Sequence, residues 1–452
     1  MFKSIFGQLI IILLFISCGS NKVEPTDNLS ILSATINGTN LDGVIDNLQP
    51  PVEITIVFST GLNLEKIKQE LVLATDNGTV VSPGFSFANN QSKVVITAEL
   101  EYSTTYSLTI STQPIGINNE RLSDVYERSF TMAEDETIRS MPPCTSGDCI
   151  ESKQLSNGGT ANFDFYANYP IYADNAEWEN LTQAIIVVHG QNRNADDYFN
   201  YLTYALNENN LSESTVLLAP WFKSESDAAT GDFYWSSSNW REGQPSNNDV
   251  QLSSFAIVDS LISQLANKDK FPVMEKIIVT GHSSGGLFTH VYAASNKAES
   301  TYSNLSFDYV VANSQYFYYA NNFRYNEGSA TFSEPDNCVG FNFWPLGYNN
   351  VPGYLSGTTE TTFNSQFVSR KITYLLGNGS ASDPSLNTSD CSATLLGSSR
   401  YQRGENIFTF MNEYYNGMHV HQKVIVEGVS HDGEGMYKSP EFSGLLGDLL
   451  QE

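Results

Sequence analysis

Five runs in the C-terminal two thirds of the chain constrain its architecture before any motif is consulted. They are "AIIVVHG" (184–190), "STVLLAP" (214–220), "KIIVTG" (276–281), "YVVANS" (309–314) and "ITYLLG" (372–377). Each is short, rich in β-branched residues and apolar without alternation. A strand wet on one face alternates polar with apolar, whereas an unbroken apolar run is a strand buried on both faces. Between the runs lie stretches of helical period, "DVQLSSFAIVDSLISQLAN" (249–267) and "GENIFTFMNEYYN" (404–416) among them. Strand–helix alternation of this kind predicts an α/β domain with a mostly parallel sheet and helices on both faces. Segments 221–248 and 315–368 are rich in Trp, Tyr and Phe and fit neither pattern; they read as insertions able to cap a pocket.

The N-terminal third obeys a different period. From Ser30 to about Met132 the chain reads as strands only, with "VEITIVF" (52–58), "VVITAEL" (94–100) and "YSLTIST" (106–112) alternating between Asn/Gly/Ser turns. This spacing predicts a small all-β sandwich. The runs "EITIVFSTGLN", "NNQSKVVITAELEYSTTYSLTIS" and "RSFTM" resemble the Ig-like modules of bacterial surface lipoproteins. Such a module either binds carbohydrate or a partner, or serves as a spacer; the spacer reading asks nothing beyond the fold. Residues 133–159 are polar with a Pro pair and read as a linker and lead-in, giving predicted domains at 30–132 and 160–452.

The start, "MFKSIFGQLIIILLFISCGS", carries Lys3 and an apolar run from Leu9 to Ile16 that is too short to span a bilayer. It reads as a signal peptide over 1–17. Phe15-Ile16-Ser17-Cys18 resembles a bacterial lipobox, with Phe15 where that pattern usually has Leu. The resemblance implies lipidation at Cys18, a tether over 18–29, and an extracytoplasmic lipoprotein at the outer membrane or cell surface. An ordinary signal peptide that happens to contain Cys is the plainer alternative. With Cys18 set aside, Cys144, Cys149, Cys338 and Cys391 remain, an even number that allows three pairings. Cys144 and Cys149 flank the turn-like "TSGD", which suggests a local ring and leaves Cys338 for Cys391. No C-x-x-C pair or neighbouring His marks these four as zinc ligands. A formal charge of −27 over 452 residues repels nucleic acid and anionic headgroups, and nothing in the sequence asks for a cofactor.

Within the α/β part, "GHSSGG" (281–286) follows the run "KIIVT" and precedes the apolar "LFTHVYAA". G-x-S-x-G on a strand–turn–helix is where a serine nucleophile sits on a tight elbow, with no room for side chains two residues to either side. Only Ser283 has Gly at both flanks, Gly281 and Gly285, so it is the candidate nucleophile; a plain glycine turn is the bland alternative. Of the six histidines, His431 in "EGVSHDGEGM" follows the last strand-like run and is the candidate base. His282, beside the serine, is expected to point elsewhere, His290 to lie on the following helix, and His189 to belong to the loop after the first run. His419 and His421 share one face of "HVHQKVIV" and read as surface or packing residues, since no third metal ligand accompanies them. An acid is expected after "ITYLLG", where "NGSASDPSLNTSDC" offers Asp383 and Asp390. Asp383 is nearer the strand and precedes Pro384, and is chosen. The oxyanion hole would use the backbone N–H groups of Ser284 and Gln191.

Residues about 180–450 resemble the α/β-hydrolase superfamily. More closely they are similar to a set of secreted bacterial and fungal hydrolases, on "HGQNRNADDYF", "LLAPWF", "YWSSSNWREG", "GHSSGG", "VVANSQYFYY", "YLLGNGSASDPSLNTSDC" and "RYQRG". The resemblance implies roles for Ser283, His431, Ser284 and Gln191 as above. One departure bears on the acid: where those proteins tend to have Gly-x-x-Asp, this chain has Gly377-Asn378-Gly379-Ser380. The expectation is a serine esterase acting through a Ser-His-Asp triad on polymeric or plant-derived esters, with Trp221, Trp235 and Trp240 either shaping the cleft or packing the insertion over it. The rival classes are a peptidase of the same fold and a non-catalytic surface binding protein on a hydrolase scaffold.

Overall fold

The computed structural model describes residues 28–380 and 382–451 and divides into two compact units, Met1–Glu136 and Thr137–Glu452. The signal peptide, Cys18 and nearly all of the tether expected from the sequence lie outside the described residues.

In the first unit one sheet has five strands in the order 39–40, 31–36, 52–58, 93–98, 84–88. A second has four, in the order 80–81, 71–75, 105–110, 126–131, and every neighbouring pair in both is antiparallel. Val52, Ile54, Ile56 and Phe58 point inward along one strand and share a core with Leu71, Leu73, Leu108 and Ile110 of the other sheet. This is the period-two pattern of a sandwich. The strands-only expectation fails at Leu64–Glu70, which is a helix. Asn63 caps it, its Oδ1 accepting from the N–H groups of Glu65 and Lys66 at 3.2 Å each; a good cap followed by "LEKIKQE" outweighs the strand context.

The second unit is built on an eight-stranded sheet: β1 (Ile150–Ser156), β2 (Thr160–Ala167), β3 (Gln183–Val188), β4 (Thr215–Pro220), β5 (Lys276–His282), β6 (Ser306–Ala312), β7 (Ile372–Gly377) and β8 (Gln422–Val426). Their spatial order is β1-β2-β4-β3-β5-β6-β7-β8. All pairings are parallel except those of β2, which runs antiparallel to both neighbours. The two-sided burial read from the sequence is visible along β3. Ile185 and Val187 join one core cluster, while Ala184, Ile186 and Val188 join another on the opposite face. Helices α1 (Ala195–Glu208) and α6 (Pro440–Gln451) cover the first face. Helices α2 (Ser254–Leu265), α3 (Ser284–Ser295), α4 (Glu360–Ser369) and α5 (Arg400–Tyr414) contribute to the second.

Two boundaries differ from expectation. The sheet begins at Ile150, inside the segment read as linker, because "IESKQLS" is an edge strand whose residues alternate between exposed and half-buried and give no apolar signal. Helix α4 begins inside 315–368, read above as irregular, and runs one residue past it; only Phe363 and Phe367 of its ten residues are buried, too few to set up a period.

The disulfides Cys144–Cys149 and Cys338–Cys391 are both formed, closing rings with sequence separations of 5 and 53. Loop-closure entropy grows with ring size, to about 2 kcal/mol for the short ring and up to about 4 for the long one. Cys338→Ser is therefore expected to lower the thermal midpoint of this unit more than Cys144→Ser. Equal shifts in calorimetry would contradict that.

Candidate active site

Strand β5 ends at His282 and α3 begins at Ser284, so Ser283 occupies the whole turn between them. Its backbone sits at φ 60°, ψ −113°, a region L-residues rarely enter, and its N–H is held by Ala312 O at 3.0 Å. The glycines follow from contact. A Cβ at Gly281 would strike the backbone of Gly285, and one at Gly285 would strike the carbonyls of Val188 and His189. Every residue of α3 is buried, so the helix that starts at Ser284 is fixed on all sides. Its first N–H groups have no intrahelical partner and point out at its positive end.

His431 lies in the loop after β8. Its Nδ1 meets Ser385 Oγ at 2.9 Å and Asp383 Oδ1 at 3.4 Å. Ser385 Oγ in turn donates to Asp383 Oδ1 at 2.6 Å. The carboxylate therefore reaches the imidazole by one long direct contact and by one short hydroxyl relay. Burial pushes Asp383 upward, but the Ser385 hydroxyl and the Arg400 guanidinium outweigh it and hold the carboxyl at about 2. Arg400, the first residue of α5, is buried and binds Asp383 Oδ2 through Nε at 2.8 Å and Nη2 at 2.7 Å. Its Nη1 donates to Asn313 O at 3.0 Å. Asn313 then ties three strand ends together, accepting from Gly377 N and donating to Ser430 O, both at 2.8 Å. Burial and the Arg400 charge both lower His431 below the ordinary histidine value, against the pull of Asp383. Its Nε2 is buried and has no hydrogen-bond partner among the described residues, Ser283 included. Nucleophile–base hydrogen bonds are often long in the absence of substrate.

Ser283, Ser284, Asp383, His431 and Gln191 line one cleft of about 820 Å³. Gln191 Oε1 accepts from Ser284 Oγ and from Ser238 Oγ, each at 3.1 Å, so the two residues expected to form the oxyanion hole are linked through their side chains. Arg193 anchors the same loop, its guanidinium donating to the carbonyls of Phe222, Lys223 and Ser237 at 2.7–2.8 Å. His189 is fully buried between the loops: its Nδ1 meets Gly190 O at 2.8 Å and its Nε2 accepts from Phe222 N at 3.1 Å. Burial lowers its pKa to about 4, which keeps it a neutral clamp.

One sequence expectation needs correction here, and one open choice is decided. His282 does not point away from the site. It stacks on His431, with ring centroids 5.0 Å apart and planes at 24°, and its Nδ1 hydrogen-bonds Tyr198 Oη at 3.0 Å. The reason is the return of the base loop over the end of β5: a Cβ on Gly433 would lie 3.0 Å from Tyr198 Oη and 3.2 Å from His282 Nδ1, so the loop packs directly on this pair. Of the two readings of the tryptophans, packing holds. Trp235 and Trp240 are fully buried against Phe222, at 5.2 and 5.4 Å between centroids, and Trp221 is half-buried beside Lys223. Large rings in the insertion form its own core, and what it presents to the cleft is Ser238 and Arg241.

The remaining candidates separate cleanly. Asp390 accepts from Asn387 Nδ2 at 2.6 Å beside the short helix Cys391–Thr394 and does not line the cleft. His290 accepts from Tyr318 N at 3.0 Å. His421 is buried on Tyr374 Oη and Phe367 O, and His419 meets Asn412 Oδ1 at 3.1 Å. Ser385, Arg400, Asn313 and Tyr198 were not singled out from the sequence. Each nevertheless lies in a stretch that carries the family resemblance: Tyr198 in "HGQNRNADDYF", Asn313 in "VVANSQYFYY", Ser385 in "YLLGNGSASDPSLNTSDC" and Arg400 in "RYQRG".

The strand order with a single reversed strand, the serine elbow after β5, and an acid and a histidine following β7 and β8 in chain order define an α/β-hydrolase fold. Residues 34–132 match the family described as a bacterial Ig-like domain. No curated protein matches the chain. Among solved structures, a poly(3-hydroxybutyrate) depolymerase from Bordetella parapertussis is similar at 18% identity and TM-score 0.48, covering 66% of this chain and 90% of its own. A poly(aspartic acid) hydrolase from Sphingomonas sp. KT-1 shares 18% identity at TM-score 0.46, over 67% of this chain and 98% of its own. A siderophore hydrolase from Aspergillus nidulans shares 15% at TM-score 0.35, over 68% and 97%.

Proposed function

We propose that the second unit is a serine hydrolase of carboxylic esters. The observation that carries this reading is Ser283 held at φ 60° in the cleft that also receives His431, whose Nδ1 is engaged by Ser385 and Asp383. His431 takes the Ser283 proton as the serine attacks the ester carbonyl. The oxyanion is received by the N–H groups of Ser284 and Gln191. His431 returns the proton to the leaving alcohol, and the acyl-enzyme is then hydrolysed by water that His431 deprotonates. Asp383 fixes the imidazole tautomer and stabilises the imidazolium without becoming protonated itself. The open, polar cleft favours hydrophilic esters, including those carried on polymers, over long acyl chains.

The Ig-like match and two disulfides support an extracytoplasmic setting. Lipidation at Cys18 would tether the chain at the membrane surface, with the Ig-like module as spacer. No helix among the described residues is long and apolar enough to cross a membrane. The test is fluorophosphonate labelling of the full chain. Labelling of the wild type and none of Ser283→Ala is expected; labelling that persists in the variant, or that never occurs, overturns the proposal.

A further inference from the structure

Two carboxylates line the cleft: Asp383, which Arg400 pairs from behind, and Asp432. Arg241 also lines the cleft, in the turn Ser238–Glu242, its side chain 17% exposed. Glu242 Oε1 takes its Nε at 3.2 Å, and its Nη1 lies 3.5 Å from Ser284 Oγ, at the long limit of a hydrogen bond. The guanidinium rests over the Tyr316 ring, 5.1 Å from the centroid. Glu242 thus occupies the inner nitrogen, and ring stacking holds the plane of the fork. Beyond its partner Glu242, the cleft is lined by the uncharged Gln191, Ser238 and Gln315 and by the carboxylates of Asp383 and Asp432.

This placement puts a cation one residue from the nucleophile, against the side chain whose backbone N–H is assigned to the oxyanion. A fixed guanidinium fork matches a carboxylate better than it matches a hydroxyl, because two parallel N–H groups meet two oxygens. The chain's charge of −27 does not oppose this. Surface charges are screened beyond about 8 Å at physiological salt, whereas a partly buried cation in the cleft is screened much less. A polyanion would meet the surface field along its length; a single carboxylate meets Arg241.

We infer that Arg241 recognises a carboxylate on the substrate a few bonds from the scissile ester, so that the natural substrates are acid-bearing esters. This deepens, and rests on, the serine-hydrolase reading. Wild type, Arg241→Gln and Arg241→Lys are compared on two matched pairs. One pair is mono-4-nitrophenyl adipate against its methyl ester, with the charge on the acyl side. The other is 4-acetoxybenzoate against methyl 4-acetoxybenzoate, with the charge on the leaving group.

The expected result is a wild-type kcat/KM preference for the charged member of at least one pair, carried mainly in KM. That preference should fall about tenfold in Arg241→Gln, fall less in Arg241→Lys, and weaken with salt. Fluorophosphonate labelling of both variants reports that the site is assembled. If the wild type turns over neutral esters with no preference in either pair, the carboxylate assignment is overturned while the hydrolase reading stands. If Arg241→Gln lowers kcat equally on charged and neutral members, Arg241 serves the oxyanion instead and the assignment is again overturned. If no ester is turned over and no serine is labelled, both readings fall together.

Discussion

kcat on a neutral aryl ester is expected to fall about 10⁴-fold in Asp383→Asn, while Asp390→Asn stays within about threefold of wild type. Asparagine keeps the shape and one acceptor for Ser385, but it cannot hold the imidazolium that forms when His431 takes the Ser283 proton. The direct approach of Asp383 to Nδ1 is long, 3.4 Å, while Ser385 Oγ stands between them at 2.9 and 2.6 Å. That makes Ser385→Ala the informative neighbour. If the carboxylate acts directly, a small shift closes the gap and the alanine variant loses about tenfold or less. If the hydroxyl relay is the operating contact, the loss approaches that of Asp383→Asn. Steady-state kinetics on the three variants decides, and a full loss confined to Asp390→Asn would remove Asp383 from the mechanism.

The sheet and the serine were legible for the same reason. Strands buried on both faces must be apolar throughout, and an elbow that strikes the carbonyls of Val188 and His189 can take nothing but glycine at 285. Both constraints are local and write themselves into consecutive residues. What was not legible depends on long-range closure. His282 enters the site because a loop about 150 residues later lands on it, and no residue next to His282 reports that landing. Arg400 binds an acid in one loop and a carbonyl after β6, contacts with sequence separations of 17 and 87. The tryptophans stayed open between cleft and core because aromatic content marks a core as readily as a cleft; burial, not composition, tells the two apart. Strand β1 was missed because an edge strand has little to bury.

Arg400→Met is expected to show two linked effects. The first is on stability. Arg400 and Asp383 are both nearly inaccessible, with side-chain exposures of 5% and 8%, and removing one member of such a pair leaves the other charge buried and unmatched. Losses of about 3–5 kcal/mol follow from that situation, readable as a lower denaturant midpoint. The second effect is on pH. In the wild type, burial and Arg400 both depress His431, so its neutral, proton-accepting form persists below the ordinary histidine pKa of about 6.5. The acid limb of kcat/KM should therefore lie below that value. Removing the guanidinium takes away a repelling positive charge 3.5 Å from Nδ1, and it frees the Asp383 carboxylate to attract the imidazolium more strongly. Both changes favour protonated His431, so the acid limb should move to higher pH by on the order of one unit. A purely architectural Arg400 would lower stability and leave the limb where it was. Coincident acid limbs in wild type and variant, measured where both remain folded, would therefore strip Arg400 of any part in setting the base. A displaced limb would mean that the arginine and the carboxylate together set the pH range in which His431 can take the serine proton.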